Sequence, residues 1–273
     1  MNITTYNEFC FILWYYTPIA YDLYLKGELT GTESKIGTNP LFYFSPEHIE
    51  KREHHWSMNT HGGILFNRTP QSFYEHQILS IDSWTPPPYK EHFKNDTLVF
   101  DKPILTIGNK CTIEWEKDLF NYFNIESLKM IFDAFYDDYK IIYIRPPHGH
   151  TNSFQHDDLT STRDIGDIEL IKESYPDIIT IEDLLNKYPD KTYNELQMLS
   201  LANSDKHICC AGGEATIASY FGGDVLIYRH PTAPSHNRGV WHTDSYLKLF
   251  SGANIYGFNS YNGLIQKANE LWK

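Results

Sequence analysis

From Lys102 to Tyr228 short apolar runs alternate with helix-like segments, and this alternation restricts the chain more than any other feature. Pro103-Ile-Leu-Thr-Ile-Gly108, Lys140-Ile-Ile-Tyr-Ile-Arg145, Asp177-Ile-Ile-Thr180, His207-Ile-Cys-Cys-Ala211 and Asp224-Val-Leu-Ile-Tyr228 read as five buried strands. Between them, Asn124 caps a helix that lines up Ile125, Leu128, Ile131, Phe132 and Phe135 on one face. A short helix passes through Leu184 and Leu185, and Thr192 with Glu195 forms a capping box for a helix reaching about Asn203. Gly212-Gly213 leads into a helix over 214–221 that Gly222-Gly223 stops. Strands alternating with helices in this way predict an α/β fold, with a parallel Rossmann-type sheet covered on both faces. Such sheets bind ligands beyond the carboxyl ends of their strands. Attention therefore falls on Asn109-Lys110, on Arg145, and on Gly212-Gly213-Glu214.

The first hundred residues are less regular. Thr17 as cap, Pro18 in the first turn and Gly27 as exit predict a helix over 17–27. Residues 9–16 read as a buried strand or as the start of that helix, and Leu41-Phe-Tyr-Phe-Ser45 reads as a strand. Together they suggest a smaller α/β lobe. Pro86-Pro87-Pro88 continues neither a helix nor a central strand and looks like a linker. The expected division is an N-terminal lobe with linker over 1–100 and a nucleotide-binding lobe over 101–273.

Composition closes several alternatives. With 41% hydrophobic and 21% charged residues, the 273-residue chain reads as globular. A net charge of −12 repels phosphate backbones, so no nucleic-acid partner is expected, although a local cation can still hold a phosphate-bearing small molecule. Cys10, Cys111, Cys209 and Cys210 have no metal-ligand spacing and read as free thiols of a reducing compartment. The apolar stretch 9–21 is shorter than the roughly 20 residues of a membrane span, Pro18 interrupts it, and no Lys or Arg precedes it. The expectation is a cytoplasmic protein without a transmembrane segment.

Several residues can carry chemistry. Two glycines between a strand and a helix let a ligand approach the backbone, and the helix start at Gly213-Glu214-Ala215-Thr216 offers free N–H groups to phosphate. Thr216 and Ser219 add hydroxyls. A tight turn with a glycine-capped helix explains the same residues without a ligand. Arg145 at a strand end suits a diphosphate, or else pairs with a nearby acid, and Lys110 lies at the same edge. Glu195 is already explained by capping, but is kept as a ligand candidate. His148, His150, His156, Asp157 and Asp158 could supply a general base or hold a metal, or form an irregular polar loop. No H-E-x-x-H pattern, G-x-S-x-G elbow, G-x-G-x-x-G fingerprint or P-loop is present.

The chain resembles a poorly characterised family of glycosyltransferase-like proteins associated with surface-polysaccharide synthesis. The matching stretches are Thr17-Pro-Ile-Ala-Tyr21, Phe42-Tyr-Phe-Ser-Pro-Glu-His-Ile-Glu50, Lys102-Pro-Ile-Leu-Thr-Ile-Gly-Asn-Lys110 with Ile113-Glu-Trp115, Tyr143-Ile-Arg-Pro146, Asn194-Glu-Leu-Gln197 with Ala202-Asn203, and Gly212-Gly213 with Ala218-Ser-Tyr-Phe-Gly-Gly223. More distantly it is similar to GT-B enzymes of the O-fucosyltransferase and heptosyltransferase type. That resemblance implies a GT-B-like fold and a transferase that moves a hexosyl or deoxyhexosyl group from a nucleotide diphosphate sugar to a glycan acceptor, with no bound metal or cofactor. Asn109, Lys110, Arg145, Glu195, Gly212, Gly213, Glu214, Ala215, Thr216 and Ser219 would then hold the donor. Asp158, His150 and Glu47 would be the candidate bases. A degenerate nucleotide- or glycan-binding module of the same fold is the alternative.

Overall fold

The computed structural model describes residues 1–6, 9, 12–51, 85–111, 121–146, 163–231 and 251–273. They form two parallel sheets. The smaller contains β1 (Asn2–Thr4), β2 (Gly31–Lys35) and β3 (His48–Lys51), in that order. The larger is built from β4 (Ile104–Gly108), β5 (Lys140–Ile144), β6 (Ile179–Thr180), β7 (Ser204–Cys210), β8 (Asp224–Tyr228) and β9 (Asn254–Phe258). Its order is β6-β5-β4-β7-β8-β9, with every pairing parallel. Counted from β4, that is the 3-2-1-4-5-6 order of dinucleotide-binding folds, and the order reverses between β4 and β7.

The helices among the described residues are α1 (Thr17–Leu25), α2 (Tyr89–Phe93), α3 (Ile125–Phe135), α4 (Asp167–Ser174), α5 (Ile181–Lys187), α6 (Tyr193–Ala202), α7 (Gly213–Ser219) and α8 (Tyr261–Trp272). The strand alternation works as expected. Ile142, Ile144, Cys209, Val225 and Ile227 face one apolar cluster, and Leu105, Ile107, Ile141, Tyr143, Ile208, Cys210 and Leu226 face the other. Helices α3, α4 and α8 cover the second face. Helices α5, α6 and α7 cover the first, where the three-stranded unit also packs. The adjacent thiols of Cys209 and Cys210 thus belong to opposite faces, and both are free and buried.

Several N-terminal expectations change. Residues 41–45 form no strand. A 3-10 turn over Asn39–Phe42 occupies the segment, and Pro40 at its start removes a ladder donor, so Leu41, Phe42 and Phe44 are buried by packing rather than by pairing. The strands of this region are the three-residue Asn2–Thr4 and the polar Gly31–Lys35 and His48–Lys51, none of which carries an apolar run. Before α1, Ile12–Tyr16 is a π-helical turn that runs directly into the helix, so the helix-start reading of this stretch holds. Thr17 is consequently not a cap; its hydroxyl donates to the Leu13 carbonyl at 3.1 Å. Gly27 does provide the left-handed exit, at φ 70°. After the triple proline, Tyr89 is fully buried, and its hydroxyl donates to the Leu41 carbonyl at 2.9 Å. Strands β1 and β9 and helices α2, α4 and α8 add to the elements read from the sequence.

Capping follows the sequence at Asn124, whose side chain accepts from the Ser127 amide. At Thr192 only half of the expected box forms. The threonine accepts from the Glu195 amide, while the Glu195 carboxylate turns to Lys191 at 2.7 Å. The full box is at Thr180, which accepts from the Asp183 amide while Asp183 accepts from the Thr180 amide. Thr180→Ala is expected to cost about 1 kcal/mol in urea unfolding, the usual value of such a cap.

Candidate functional site

The order reversal places the carboxyl ends of β4 and β7 side by side, and the expected Asn109, Lys110, Gly212, Gly213 and Glu214 meet there. Strand β4 ends at Gly108 and continues into Asn109 and Lys110; β7 continues through Ala211 and Gly212 into α7. A Cβ on Gly108 would stand 2.4 Å from the Glu214 carboxyl group, so glycine there is what allows Glu214 to lie against the strand end. Gly212 has φ 150°, and its absent side chain leaves space where the Lys110 ammonium lies 3.1 Å from the would-be Cβ. At Gly213 the space is filled from within, since a Cβ would meet the ring of Phe9 at 2.2 Å.

Glu214 is buried, and its Oε1 has no hydrogen-bond partner. Burial raises its carboxyl well above the ordinary carboxylate range; Lys110 offsets part of that shift. The hydroxyls of the same helix are already used: Thr216 donates to the Gly212 carbonyl at 3.3 Å and Ser219 to the Thr216 carbonyl at 2.6 Å. Both are buried, as is Ala215.

Asn109 is fully buried, and its side chain is engaged by its neighbours. Its amide donates to the Phe123 carbonyl at 3.0 Å and to the Tyr143 hydroxyl at 2.8 Å, while its oxygen accepts from the Phe123 and Lys110 amides, both at 2.9 Å. The chain of contacts continues: Tyr143 donates to Asp167 at 2.6 Å, and Asp167 also accepts from Arg145. The second terminal nitrogen of Arg145 donates to the Arg163 carbonyl. Burial and the neighbouring Asp167 hold the Tyr143 phenol well above its usual range, so it stays a donor.

Arg145 lines a cleft of about 230 Å³ at the carboxyl ends of β5 and β6, with Arg163, Asp164 and Glu182 among its other walls. Its two terminal nitrogens are committed to Asp167 and Arg163, so a diphosphate reaching it would compete with a buried carboxylate. Glu195 lies on α6, paired with Lys191. Glu47 is exposed just before β3. Asp158 and His150 lie outside the described residues, as do His148, His156 and Asp157. The sequence reading missed Asp167, although an acid opening the helix after Gly166 was a signal for it.

A comparison with solved structures superimposes the chain on ADP-heptose LPS heptosyltransferase II from E. coli, with a TM-score of 0.53, over 98% of this chain and 99% of that one, at 10% identity. The fold is GT-B-like. No protein-family profile and no curated protein matches the sequence. Among the described residues no helix is long and apolar enough to cross a membrane, and no cluster of His, Cys, Asp and Glu is placed to hold a metal.

Proposed function

We propose that the protein is a glycosyltransferase that moves a sugar from a nucleotide diphosphate sugar to a hydroxyl of a glycan acceptor. The observation that carries the reading is the juxtaposition of Lys110, Gly212 and Glu214 at the order reversal of the six-stranded sheet. A ligand crevice belongs at that point of such a sheet, and the GT-B-like fold supports this use of it. Lys110 would counter the charge of the leaving diphosphate, in place of a metal. Residues 101–273 would hold the donor and the first hundred residues the acceptor, in the cytoplasm.

The test is a thermal-shift and calorimetric screen of nucleoside diphosphates and their sugars. A ligand at a hundred times its Kd stabilises the native state by about 2.7 kcal/mol. Lys110→Ala is expected to weaken the diphosphate by roughly tenfold to a hundredfold, the loss of one charge-assisted hydrogen bond. No shift with any nucleotide sinks the reading.

One observation favours a second reading, a binding module without turnover. The strand-end arginine that resemblance assigns to the diphosphate is tied to Asp167. Tight nucleotide-sugar binding with neither transfer nor hydrolysis would decide for it.

A further inference from the structure

The cleft at the carboxyl ends of β5 and β6 holds a second arginine, and its charge is unengaged. Arg163 is exposed in the cleft wall, and among the described residues its guanidinium makes no hydrogen bond and no ion pair. Its backbone, by contrast, is held on both sides. The Arg163 amide donates to the Cys111 carbonyl at 2.7 Å, and the Arg163 carbonyl accepts from the second terminal nitrogen of Arg145. Cys111 directly follows Lys110. The first of these bonds therefore sets Arg163 against the turn that leaves β4, one residue from the lysine at the order reversal.

The two arginines differ in what a phosphate would displace. Arg145 is 8% exposed, and its charge is met by the buried Asp167. A diphosphate taking Arg145 would strand that carboxylate. On Arg163 it would displace only water. A guanidinium with all its N–H groups free offers the planar fork that fits two phosphate oxygens at once. A backbone already fixed lowers the ordering cost when the side chain closes on a ligand. The remaining walls suit what is attached to the phosphate. Glu169 and Glu182 are exposed acceptors without a partner among the described residues, and Pro146, Ile168 and Ile181 are apolar. Carboxylates accept hydroxyls and repel a bare anion, so the cleft favours a phosphate ester with a hydroxylated ring over inorganic phosphate. Its volume of about 230 Å³ is below the roughly 300–1,000 Å³ of pockets that enclose a drug-sized molecule, so it takes part of a nucleotide.

We propose that Arg163, and not Arg145, is the arginine that binds the donor diphosphate together with Lys110, and that Arg145 is a positioning residue that holds Arg163 through its carbonyl. The assignment rests on the transferase reading and names the guanidinium at its diphosphate.

Calorimetric titration with ADP, GDP, UDP and inorganic pyrophosphate tests this on wild type, Arg163→Ala, Arg163→Lys and Arg145→Lys. Arg163→Ala should weaken the nucleoside diphosphate that wild type binds by about tenfold, through lost charge-assisted hydrogen bonds. Its urea midpoint should not move, because the side chain is exposed and unpaired. Arg163→Lys keeps the charge without the fork and should recover part of the loss. Arg145→Lys keeps a charge for Asp167 but has no second nitrogen for the Arg163 carbonyl. It should weaken the diphosphate several-fold in wild type and have no further effect in Arg163→Ala, since both act through one contact. An Arg163→Ala affinity within twofold of wild type overturns the assignment. So does an Arg145→Lys loss that persists in full in the Arg163→Ala background, because Arg145 then binds by itself. If Arg145→Lys does not fold, the two Arg163 variants decide. Pyrophosphate binding that Arg163→Ala weakens tenfold, without binding of any nucleotide, upholds the anion site and sinks the transferase reading. No binding of any of the four overturns both.

Discussion

Asp167→Ala is expected to cost the fold about 3–5 kcal/mol, the usual penalty for leaving one charge of a buried pair without its partner. Asp167 is fully buried and pairs with Arg145, itself only 8% exposed. The substitution strands the guanidinium with the Arg163 carbonyl alone, and the Tyr143 hydroxyl loses its acceptor. The same network reaches Asn109 and through it the backbone of Lys110 and Phe123, so the damage should spread to the turn after β4. Urea unfolding measures the loss directly. The Arg145→Met, Asp167→Leu double variant provides the contrast. It removes both charges at roughly constant volume and should be markedly more stable than Asp167→Ala. If the single variant unfolds within 1 kcal/mol of wild type, the pair is not desolvated as described.

The second large effect is acid lability above the range in which carboxylates titrate. His207 lies in the middle of β7, fully buried, with Nδ1 2.6 Å from the Thr106 hydroxyl. Burial lowers its pKa from 6.5 to about 3; the Lys90 charge acts in the same direction, and Asp205 and Asp224 act against it. The native state thus holds the ring neutral while the unfolded chain takes up a proton below about 6.5. Stability is complete above that pH and falls as the pH drops towards 3. At 1.36 kcal/mol per pH unit, His207 alone should remove about 2 kcal/mol between pH 6.5 and pH 5. His48, lowered by burial to about 4 while its two ring nitrogens meet Thr32 and Thr38, adds a loss of the same sign. Unfolding free energies measured at pH 7, 6 and 5 test this, and His207→Asn should flatten the profile. A wild-type profile without slope in that window would mean that the imidazole is reached by water.

The arrangement at the order reversal connects these predictions to the proposed function. Asn109 spends every polar atom on holding the turn after β4, and that turn presents Lys110. Gly108 and Gly212 are small because Glu214 and Lys110 occupy the space their side chains would need. The backbone at the order reversal is therefore shaped by its own side chains, which set a lysine at Gly212 and a buried acid against Gly108.

How much of this could be read from the chain differs from element to element. The five apolar strands after Lys102, the Asn124 cap, the exit at Gly27 and the α/β class follow from local rules. Buried parallel strands must be short and apolar, and a helix start needs an acceptor for its free amides. Strands β2 and β3 escaped because their sequences, Gly-Thr-Glu-Ser-Lys and His-Ile-Glu-Lys, lack the apolar run that marks a buried strand. The aromatic segment 41–45 misled for the converse reason, since apolarity reports burial and not pairing. Lys110, Glu214 and the glycines at 212 and 213 were legible as one strand-to-helix edge. That Arg145 is held by Asp167, or that Thr216 and Ser219 turn to their own backbone, was not, because partners 22 residues apart or buried within a helix leave no periodic trace.

The sequence by itself determined the α/β class, the position of the carboxyl-end turns and the residues available there, since these depend on period, capping and turn chemistry over a few neighbours. Only the tertiary structure decided which turns meet. Strand order brings β4 beside β7, across about 100 residues of chain, and burial then sets which side chains are committed to the fold and which are left with an unmade hydrogen bond.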